Sequence, residues 1–299
     1  MENKKALVLF SGGLDSLLVI RLLHEQGFDV EALHFKLPFS CSSSAEYFFN
    51  ENFKNFKNIK LTVFSLKEKD LFNEYFKVLK SPKYGRGVGM NPCIDCKVFI
   101  FKKAKQYADK NNIKIIATGE VLGERPMSQT APALKKINDE IGFEILRPLS
   151  AKLLKETQLE KDKIVNRENL LAIEGRQRKV QMALAEKFNL KYPTPAGGCI
   201  LCDRIVGKRI KLLMDKNLVH EKNLDLMTIG KHFIINDNWF IVGRNEKENI
   251  IIEKYPNSLE SDKGKPAIYF NNPDEKSKAL EIQKAYEHKN TEDFEVFKL

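Results

Sequence analysis

The string Ser-Gly-Gly-Leu-Asp-Ser at residues 11–16 has the residue types of an anion-binding turn. It follows a run of five apolar residues, 6–10, which predicts a short buried strand, and it leads into a helix predicted to begin near Leu14. Glycines let the backbone approach a phosphate closely, and the unpaired N–H groups of a helix start point towards it. The pattern therefore predicts a phosphate site that lacks the lysine of a Walker loop. The structural alternative is an ordinary strand-to-helix turn, in which Asp15 only caps the helix.

The same string is similar to the PP-loop of the ATP pyrophosphatases. This resemblance implies that ATP is cleaved between its α- and β-phosphates and that AMP serves as the activating group. It also implies that backbone near Phe35 and Gly119 holds the adenosine, while Asp15 contacts Mg²⁺ directly or through water. The predicted ATP-binding residues are Ser11, Gly12, Gly13, Leu14, Asp15, Ser16, Phe35 and Gly119.

Two Cys-x-x-Cys pairs form the second candidate site. Asn91-Pro92-Cys93-Ile94-Asp95-Cys96 precedes a helical pattern at 97–110, and a helix start is predicted to lower the pKa of a thiol. The second pair, Cys199 and Cys202, follows a stretch rich in proline and glycine. Cys41 stands alone after the second predicted strand and is interpreted as an incidental thiol.

Further motifs resemble families of tRNA-thiolating enzymes. The run 117–130, Ala-Thr-Gly-Glu-Val-Leu-Gly-Glu-Arg-Pro-Met-Ser-Gln-Thr, with Leu-Arg-Pro-Leu-Ser at 146–150, is similar to the catalytic domain of tRNA 4-thiouridine synthetases, the ThiI family, over about residues 6–150. The segment 91–96 resembles instead the tRNA 2-thiouridylases, the MnmA family, which pair an Asn-Pro-x-x-x-Cys cysteine with a later Gly-x-Cys cysteine. By that match Cys96 and Cys199 handle sulfur, which displaces AMP from an adenylated uridine. The implied partners are tRNA and a sulfur donor, either sulfide or a persulfide carrier.

Three chemistries remain open at the cysteines. Four thiols can bind zinc tetrahedrally. Cys96 and Cys199 can instead act as a persulfide and its resolving thiol. The favoured hypothesis is a [4Fe–4S] cluster held by Cys93, Cys96 and Cys199, with one iron left open for sulfide. Cys93 favours the cluster because it stands where the single-cysteine thiouridylases have another residue, and Cys202 is a possible fourth ligand.

The element pattern of the first half predicts an α/β fold. Strands at 6–10, 30–35, 59–66 and 113–118 alternate with helices, which indicates a doubly wound parallel sheet, and the resemblance specifies the adenine nucleotide alpha-hydrolase-like PP-loop fold. Ligands bind at the carboxyl ends of such strands, so the segments 11–16, 36–41 and 119–129 are expected to converge on one crevice. The loop at 80–90 is interpreted either as a mobile cover or as a solvated connection.

Three domains are predicted: a PP-loop ATP-binding domain at 1–150, a helical basic segment at 151–203 and a small α+β domain at 204–299. The last is predicted to contain strands at 233–236, 239–243, 250–253 and 267–270, followed by a helix at 277–288. It resembles the RNA-binding NFACT-R domain, which implies RNA contacts for His232, Arg244, Asn245 and Asn249. Arg176, Arg178 and Lys179 are further candidates for RNA phosphate contacts. The alternatives are a polar hairpin rim and a solvated helix face.

Composition is compatible with these hypotheses. The 299 residues carry a formal charge of +10, which suits an RNA partner, and five cysteines. With neither a signal peptide nor a membrane span predicted, the expected location is the cytoplasm, where those cysteines are not expected to form structural disulfides. The sequence makes no prediction about oligomeric state.

The sequence as a whole predicts an ATP-dependent tRNA sulfurtransferase that makes a thiouridine. One alternative is an ATP-pyrophosphatase amide or C–N ligase of the argininosuccinate-synthase type, in which the cysteines would be structural. Another is a non-enzymatic protein that binds RNA or the ribosome and keeps a vestigial nucleotide site.

Overall fold

The computed structural model of the chain describes residues 4–37, 39, 44–66, 69–194 and 198–295. It contains two compact units. The first comprises Met1–Gly87 and Pro92–Cys199, and the second comprises Val88–Asn91 and Ile200–Leu299. The predicted middle segment 151–203 thus lies in the first unit as far as Cys199. Among the described residues, no helix is long and apolar enough to cross a bilayer.

The first unit is built on a parallel sheet with the strand order β3-β2-β1-β4. Its strands are β1 (Lys5–Leu9), β2 (Asp29–Lys36), β3 (Ile59–Ser65) and β4 (Ile115–Thr118). Its helices are α1 (Leu14–Glu25), α2 (Ala45–Phe53), α3 (Lys69–Lys80), α4 (Cys93–Lys110), α5 (Ala131–Ile141), α6 (Gln158–Lys161) and α7 (Lys179–Lys187). The α/β prediction and its strands are confirmed.

Helices cover both faces of this sheet, because β1 is apolar on both sides. Ala6 and Val8 pack in a core with Leu17 of α1 and Phe49 of α2. The alternating residues, represented by Leu7, pack in a second core with residues of α4 and α5. A strand buried on both faces is typical of a doubly wound sheet.

The helical prediction for 151–203 is only partly correct. The described part of the segment contains three short 3₁₀ turns, at Ala151–Leu153, Arg167–Asn169 and Ile200–Cys202, and a single helix longer than four residues, α7. α7 packs against α1. Gln181, near the start of α7, lies close to Asp15 in the turn at residues 11–16.

The loop predicted at 80–90 is confirmed from residue 81 onward as a connection without helix or strand, since Lys80 ends α3. The Asp95 carboxylate accepts hydrogen bonds from the N–H groups of Lys83 at 2.8 Å and Tyr84 at 3.1 Å. The Arg86 guanidinium donates to the carbonyl oxygen of Leu79 at 2.7 Å, at the end of α3. These bonds hold residues 83–86 against α3 and α4.

The second unit contains an antiparallel sheet with the order β5-β6-β8-β7. Its strands are β5 (Lys231–Ile235), β6 (Asn238–Val242), β7 (Ser258–Leu259) and β8 (Ile268–Phe270). Its helices are α8 (Arg204–Asp215), α9 (Glu246–Ile252), α10 (Lys276–Glu287) and α11 (Glu292–Glu295). The segment Val88–Asn91 belongs here because the N–H of Met90 donates to the carbonyl oxygen of Leu201 at 2.8 Å.

One strand prediction in this unit is wrong. Residues 250–252, predicted as part of a strand, end helix α9. The Asn245 side chain accepts a hydrogen bond from the N–H of Glu248 at 3.1 Å and caps the helix. A capping residue five positions before the apolar run therefore overrides the β propensity of three consecutive isoleucines.

Candidate active site

The turn at residues 11–16 leads into α1, whose first backbone N–H groups receive no side-chain cap from the described residues. Gly13 is the N-cap residue in extended backbone, and no described side chain caps the helix. The Ser16 hydroxyl donates to the carbonyl oxygen of Gly13 at 2.8 Å and lies 3.3 Å from the Ser11 hydroxyl. Gly12 has a φ of +83°, and a Cβ there would lie 2.7 Å from the Cβ of Ala45. The loop therefore has the open helix start that an anion site requires.

Gly119, directly after β4, closes the other side of the turn. A Cβ on this residue would lie 2.7 Å from the backbone N of Ser16 and 2.8 Å from the carbonyl carbon of Asp15. Two backbone segments therefore meet here at a distance that only glycine permits.

Asp15 is a carboxylate of the site whose pKa is strongly perturbed. Burial, with a contribution from the Glu124 carboxylate, raises the pKa of Asp15 to about 6, although Arg178 and Arg125 oppose this shift. Its Oδ1 is buried and has no hydrogen-bond partner in the described part of the chain. The carboxamide of Gln181 lies close to Asp15, but both of its polar atoms are likewise unsatisfied there. Such orphaned groups indicate a place for a ligand.

A cavity of about 300 Å³ lies at the carboxyl ends of β1, β2 and β4. The predicted residues that line it are Ser11, Asp15, Ser16, Phe35 and Gly119. The convergence of the three predicted segments is thus confirmed for 11–16, for Leu37 and for 119–129, whereas residues 38 and 40–41, Cys41 included, lie outside the described residues. Gly12, Gly13 and Leu14 shape the turn without lining the cavity.

A buried ion network, missed at the level of sequence, adjoins this cavity. Glu120 is 4 % exposed and accepts hydrogen bonds from Arg147 Nε, at 2.8 Å, and from the Lys97 ammonium. Burial favours the neutral acid, but Lys97 and Arg147 prevail and lower the pKa of Glu120. His34 also lines the cavity, and its Nδ1 lies 2.8 Å from the carbonyl oxygen of Phe10. The sequence offered one indication of this network, which is adjacency to predicted site residues. Glu120 directly follows Gly119, and Lys97 directly follows Cys96.

The first cysteine pair lies on the helix that lines the cavity. α4 begins at Cys93, and its next turns contribute Lys97, Ile100 and Phe101 to the cavity wall. The predicted lowering of the thiol pKa is wrong for Cys96. Burial raises the pKa of the Cys96 thiol to about 11, since desolvation of the thiolate outweighs the helix start.

Three thiols of the first unit act electrostatically on one tyrosine hydroxyl. The hydroxyl of Tyr75, on α3, lies 3.8 Å from the Cys96 sulfur. Burial, followed by the thiols of Cys96, Cys199 and Cys93, raises the pKa of Tyr75 well above its usual value. These three cysteines and Cys202 are in the thiol state. Among the described residues, however, no three Cys, His, Asp or Glu side chains are grouped closely enough to hold a metal ion.

The basic residues before α7 differ in their surroundings. Arg178 pairs with Glu124 at 2.9 Å, beside Asp15. Arg176 and Lys179 are exposed. Of the three basic residues, Arg176 and Lys179 present their charges to solvent, whereas Arg178 is engaged in an ion pair.

The RNA-contact candidates of the second unit are mostly engaged within the fold. His232 is fully buried: its Nε2 lies 2.7 Å from the carbonyl oxygen of Ile229, and its Nδ1 accepts a 3.0 Å hydrogen bond from Trp239 Nε1. An RNA contact by this side chain is therefore inconsistent with its burial. Arg244 is half exposed and forms a 2.5 Å ion pair with Glu248. Asn245 caps α9, and the Asn249 side chain accepts a hydrogen bond from the N–H of Ala267 at 3.1 Å.

The parallel sheet and the glycine turn at its carboxyl edge define an α/β nucleotide-binding domain. The model of the family described as thiamine biosynthesis protein (ThiI) matches residues 2–172, more than half of the sequence. The chain belongs to the ThiI family.

Curated relatives match the same region. A probable tRNA sulfurtransferase of Lysinibacillus sphaericus (strain C3-41) is 33% identical over 152 residues, which is 50% of this chain and 35% of the relative. The tRNA-specific 2-thiouridylase MnmA of Sulfurimonas denitrificans (strain ATCC 33889 / DSM 1251) is 34% identical over 127 residues, 40% of this chain and 35% of the relative. The chain therefore spans about a third of the length of the curated relatives it matches.

Among solved structures, the crystal structure of a 4-thiouridine synthetase–RNA complex with bound ATP aligns with a TM-score of 0.39 and 19% identity. The alignment covers 75% of this chain and 53% of that one. At this level of similarity the comparison adds nothing to the site.

Proposed function

We propose that the chain is an ATP-dependent tRNA sulfurtransferase that converts a uridine carbonyl into a thiocarbonyl. The observation that carries this proposal is the cavity in which the PP-loop residues Ser11, Asp15 and Ser16 face α4, the helix that begins at Cys93. A nucleotide site and a sulfur site are thus parts of one unit. The match to the ThiI family and to relatives named tRNA sulfurtransferase supports the same activity.

In the first half-reaction the uridine oxygen attacks the α-phosphate of ATP, and pyrophosphate leaves. The open N–H groups at the start of α1 bind the phosphates, aided by the positive end of the helix dipole. Asp15 fits a divalent cation because its buried Oδ1 has no partner in the described residues. Mg²⁺ bound there would neutralise charge on the departing pyrophosphate.

In the second half-reaction a sulfur nucleophile attacks the activated carbon, and AMP leaves with the former carbonyl oxygen. We assign sulfur handling to Cys96 and Cys199, which both lie near the Tyr75 hydroxyl. The raised pKa of Cys96 means that its thiol is protonated at neutral pH in the unloaded protein. Both cysteines are partly buried, which would reduce the access of water to a reactive sulfur species. An iron–sulfur cluster and a persulfide are the two candidates for that species, whereas a structural zinc site would leave no thiol for sulfur chemistry.

We further propose that tRNA binds to exposed cations, with Arg176 and Lys179 contacting the phosphate backbone next to the cavity. Arg244 is a second candidate contact. The NFACT-R-like role of the second unit stays a prediction, without His232 in its contact set.

The test combines two readouts on the purified full chain. With ATP, Mg²⁺, sulfide and bulk tRNA, we expect pyrophosphate release together with thiouridine detected by mass spectrometry of nucleosides. The Cys96→Ser/Cys199→Ser double variant is expected to lose thiouridine formation. Unchanged thiolation in this variant would contradict the assignment, and pyrophosphate release without any thiouridine would favour the C–N ligase alternative.

The Cys202→Ser variant and metal analysis separate the cysteine chemistries. A four-thiol zinc site requires Cys202, whereas a cluster with three ligands or a thiol pair does not. Iron and zinc are therefore measured after anaerobic purification of both variants and the wild type. Stoichiometric zinc without iron would exclude the cluster.

A further inference from the structure

The cationic side chains around the nucleotide cavity differ in whether a carboxylate neutralises them. Lys97 pairs with Glu120, and Arg178 pairs with Glu124. Arg125 also lines the cavity, but no carboxylate among the described residues lies within 4 Å of its guanidinium. Arg125 therefore brings a positive charge that no ion pair engages among the described residues to the wall of the cavity, where it acts on the Asp15 carboxylate.

The Arg125 guanidinium also touches the chain next to a proposed sulfur-handling cysteine. A Cβ on Gly198 would lie 2.7 Å from Arg125 Nη1, and Gly198 has a φ of +102°, which disfavours any other residue. Gly198 immediately precedes Cys199. One side chain thus reaches both the cavity and the backbone at Gly198, the residue before Cys199.

We propose that Arg125 binds a phosphate group of the bound nucleotide and, in that position, orders the backbone at Gly198 and Cys199. The inference rests on the proposed function, since it assumes that the cavity takes ATP. A guanidinium suits this role because its fixed fork of donors matches phosphate oxygens, and it remains charged at every physiological pH. Nucleotide occupancy would then position the segment that carries Cys199.

A phosphate can come from ATP or from the RNA backbone, and the test separates these sources. Affinity is measured by calorimetry with a non-hydrolysable ATP analogue and Mg²⁺, and separately by filter binding with bulk tRNA. For Arg125→Gln we expect the analogue affinity to fall about 10- to 100-fold, as for loss of a charged hydrogen bond. Affinity for tRNA is expected to stay within about twofold.

Two variants control for loss of charge and loss of fold. Lys135→Gln removes one positive charge from the exposed face of α5, where Lys135 pairs only with Asp139, and is expected to leave analogue affinity unchanged. Arg125→Lys keeps the charge and is expected to recover part of the lost affinity, although a lysine lacks the planar fork. Recovery of this kind would not follow from a merely disrupted fold.

Hydrogen–deuterium exchange measures the ordering of the Cys199 segment independently of affinity. The analogue is expected to slow exchange in peptides that contain residues 198–202 of the wild type but not of Arg125→Gln. Gly198→Ala, whose new Cβ would collide with Nη1, is expected to weaken analogue binding by a smaller factor than Arg125→Gln.

The outcomes separate this inference from the proposed function. If the wild type binds the analogue and Arg125→Gln binds it equally well, the inference fails while the proposed function stands. A loss of tRNA affinity in Arg125→Gln, alone or with loss of analogue affinity, would assign the guanidinium to RNA and also overturn it. If the wild type binds no analogue, the proposed function itself fails.

Discussion

Buried polar groups are left unsatisfied in the nucleotide cavity and are fully satisfied in the hairpin of the second unit. Asp15 Oδ1 and Gln129 Oε1 are buried at the cavity without a hydrogen-bond partner in the described residues. His232, by contrast, uses both ring nitrogens, one with Ile229 and one with Trp239. Both regions contain titratable residues that a sequence motif marks as functional.

This difference distinguishes motif residues that bind a ligand from motif residues that stabilise the fold. An unsatisfied buried group costs free energy until a ligand arrives, whereas a satisfied one stabilises the folded chain. Substitution in the cavity should therefore reduce activity and spare or even raise stability. Substitution in the hairpin should lower stability and spare the activity.

Asp15→Asn tests the cavity and has the largest expected effect. The amide keeps the size of the side chain but loses the charge that would hold a divalent cation. We expect pyrophosphate release to fall by about 100-fold or more, as for loss of a group that stabilises transition-state charge. The matched control is Glu25→Gln at the exposed end of α1, which should retain normal activity. Equal losses in both variants would remove Asp15 from the mechanism.

The same variant should gain stability, and the gain should depend on pH. Because the pKa of Asp15 is raised to about 6, the ionised side chain destabilises the fold above pH 6, and this penalty disappears as the pH falls towards 4. We expect Asp15→Asn to be more stable by about 2 to 3 kcal/mol at pH 7 and equal to the wild type at pH 4. Chemical denaturation at both pH values measures this difference. A variant less stable at pH 7 would show that Asp15 has a structural role.

Comparison of Gly119→Ala with Gly27→Ala distinguishes steric crowding at the cavity from backbone strain at a distant turn. Its new Cβ would lie 2.7 Å from the backbone N of Ser16, so α1 or β4 must shift. We expect a loss of about 1 to 3 kcal/mol in stability together with weaker ATP binding. Gly27→Ala meets no atom within 4 Å but has a φ of +81°, and is expected to cost about 1 kcal/mol and leave ATP binding unchanged. ATP binding that is normal in both would place the nucleotide away from Gly119.

His232→Phe tests the hairpin. The substitution leaves Trp239 Nε1 without its acceptor, which is expected to cost about 1 to 3 kcal/mol, while tRNA affinity stays unchanged. Trp239 is the single tryptophan of the chain, so its fluorescence reports unfolding of the second unit. A tRNA affinity that falls without loss of stability would restore His232 as an RNA contact.

The pH dependence of the hairpin has the opposite sign to that of Asp15. Burial lowers the pKa of His232 to about 3, so the unfolded chain binds a proton below pH 6.5 that the folded chain does not. Stability therefore falls as the pH is lowered from 6.5. Between pH 6.5 and pH 5 we expect the wild type to lose roughly 2 kcal/mol that His232→Phe does not lose.

The sequence predicted the features that contiguous residues determine. β1, the glycine turn and α1 lie within a residue of their predicted bounds, because an apolar run, two glycines and a helix start are local features. The thiol pKa of Cys96 could not be predicted, since burial beside Tyr75, 21 positions away, decides its sign. The Glu120 network could not be predicted either, because it joins the segment after β4, Lys97 of α4 and Arg147, which is 27 positions from Glu120.

The smallest expected effect comes from the exposed cations before α7. Arg178 is engaged by Glu124, whereas Arg176 and Lys179 are exposed and available for RNA phosphates. Each phosphate contact contributes about 0.7 to 0.9 to the slope of log affinity against log salt. Arg176→Gln/Lys179→Gln should therefore lower tRNA affinity only several-fold at moderate salt and reduce this slope by between one and two, as measured by filter binding. A salt slope equal to that of the wild type would mean that these side chains are merely solvated, and it would move the RNA surface elsewhere on the chain.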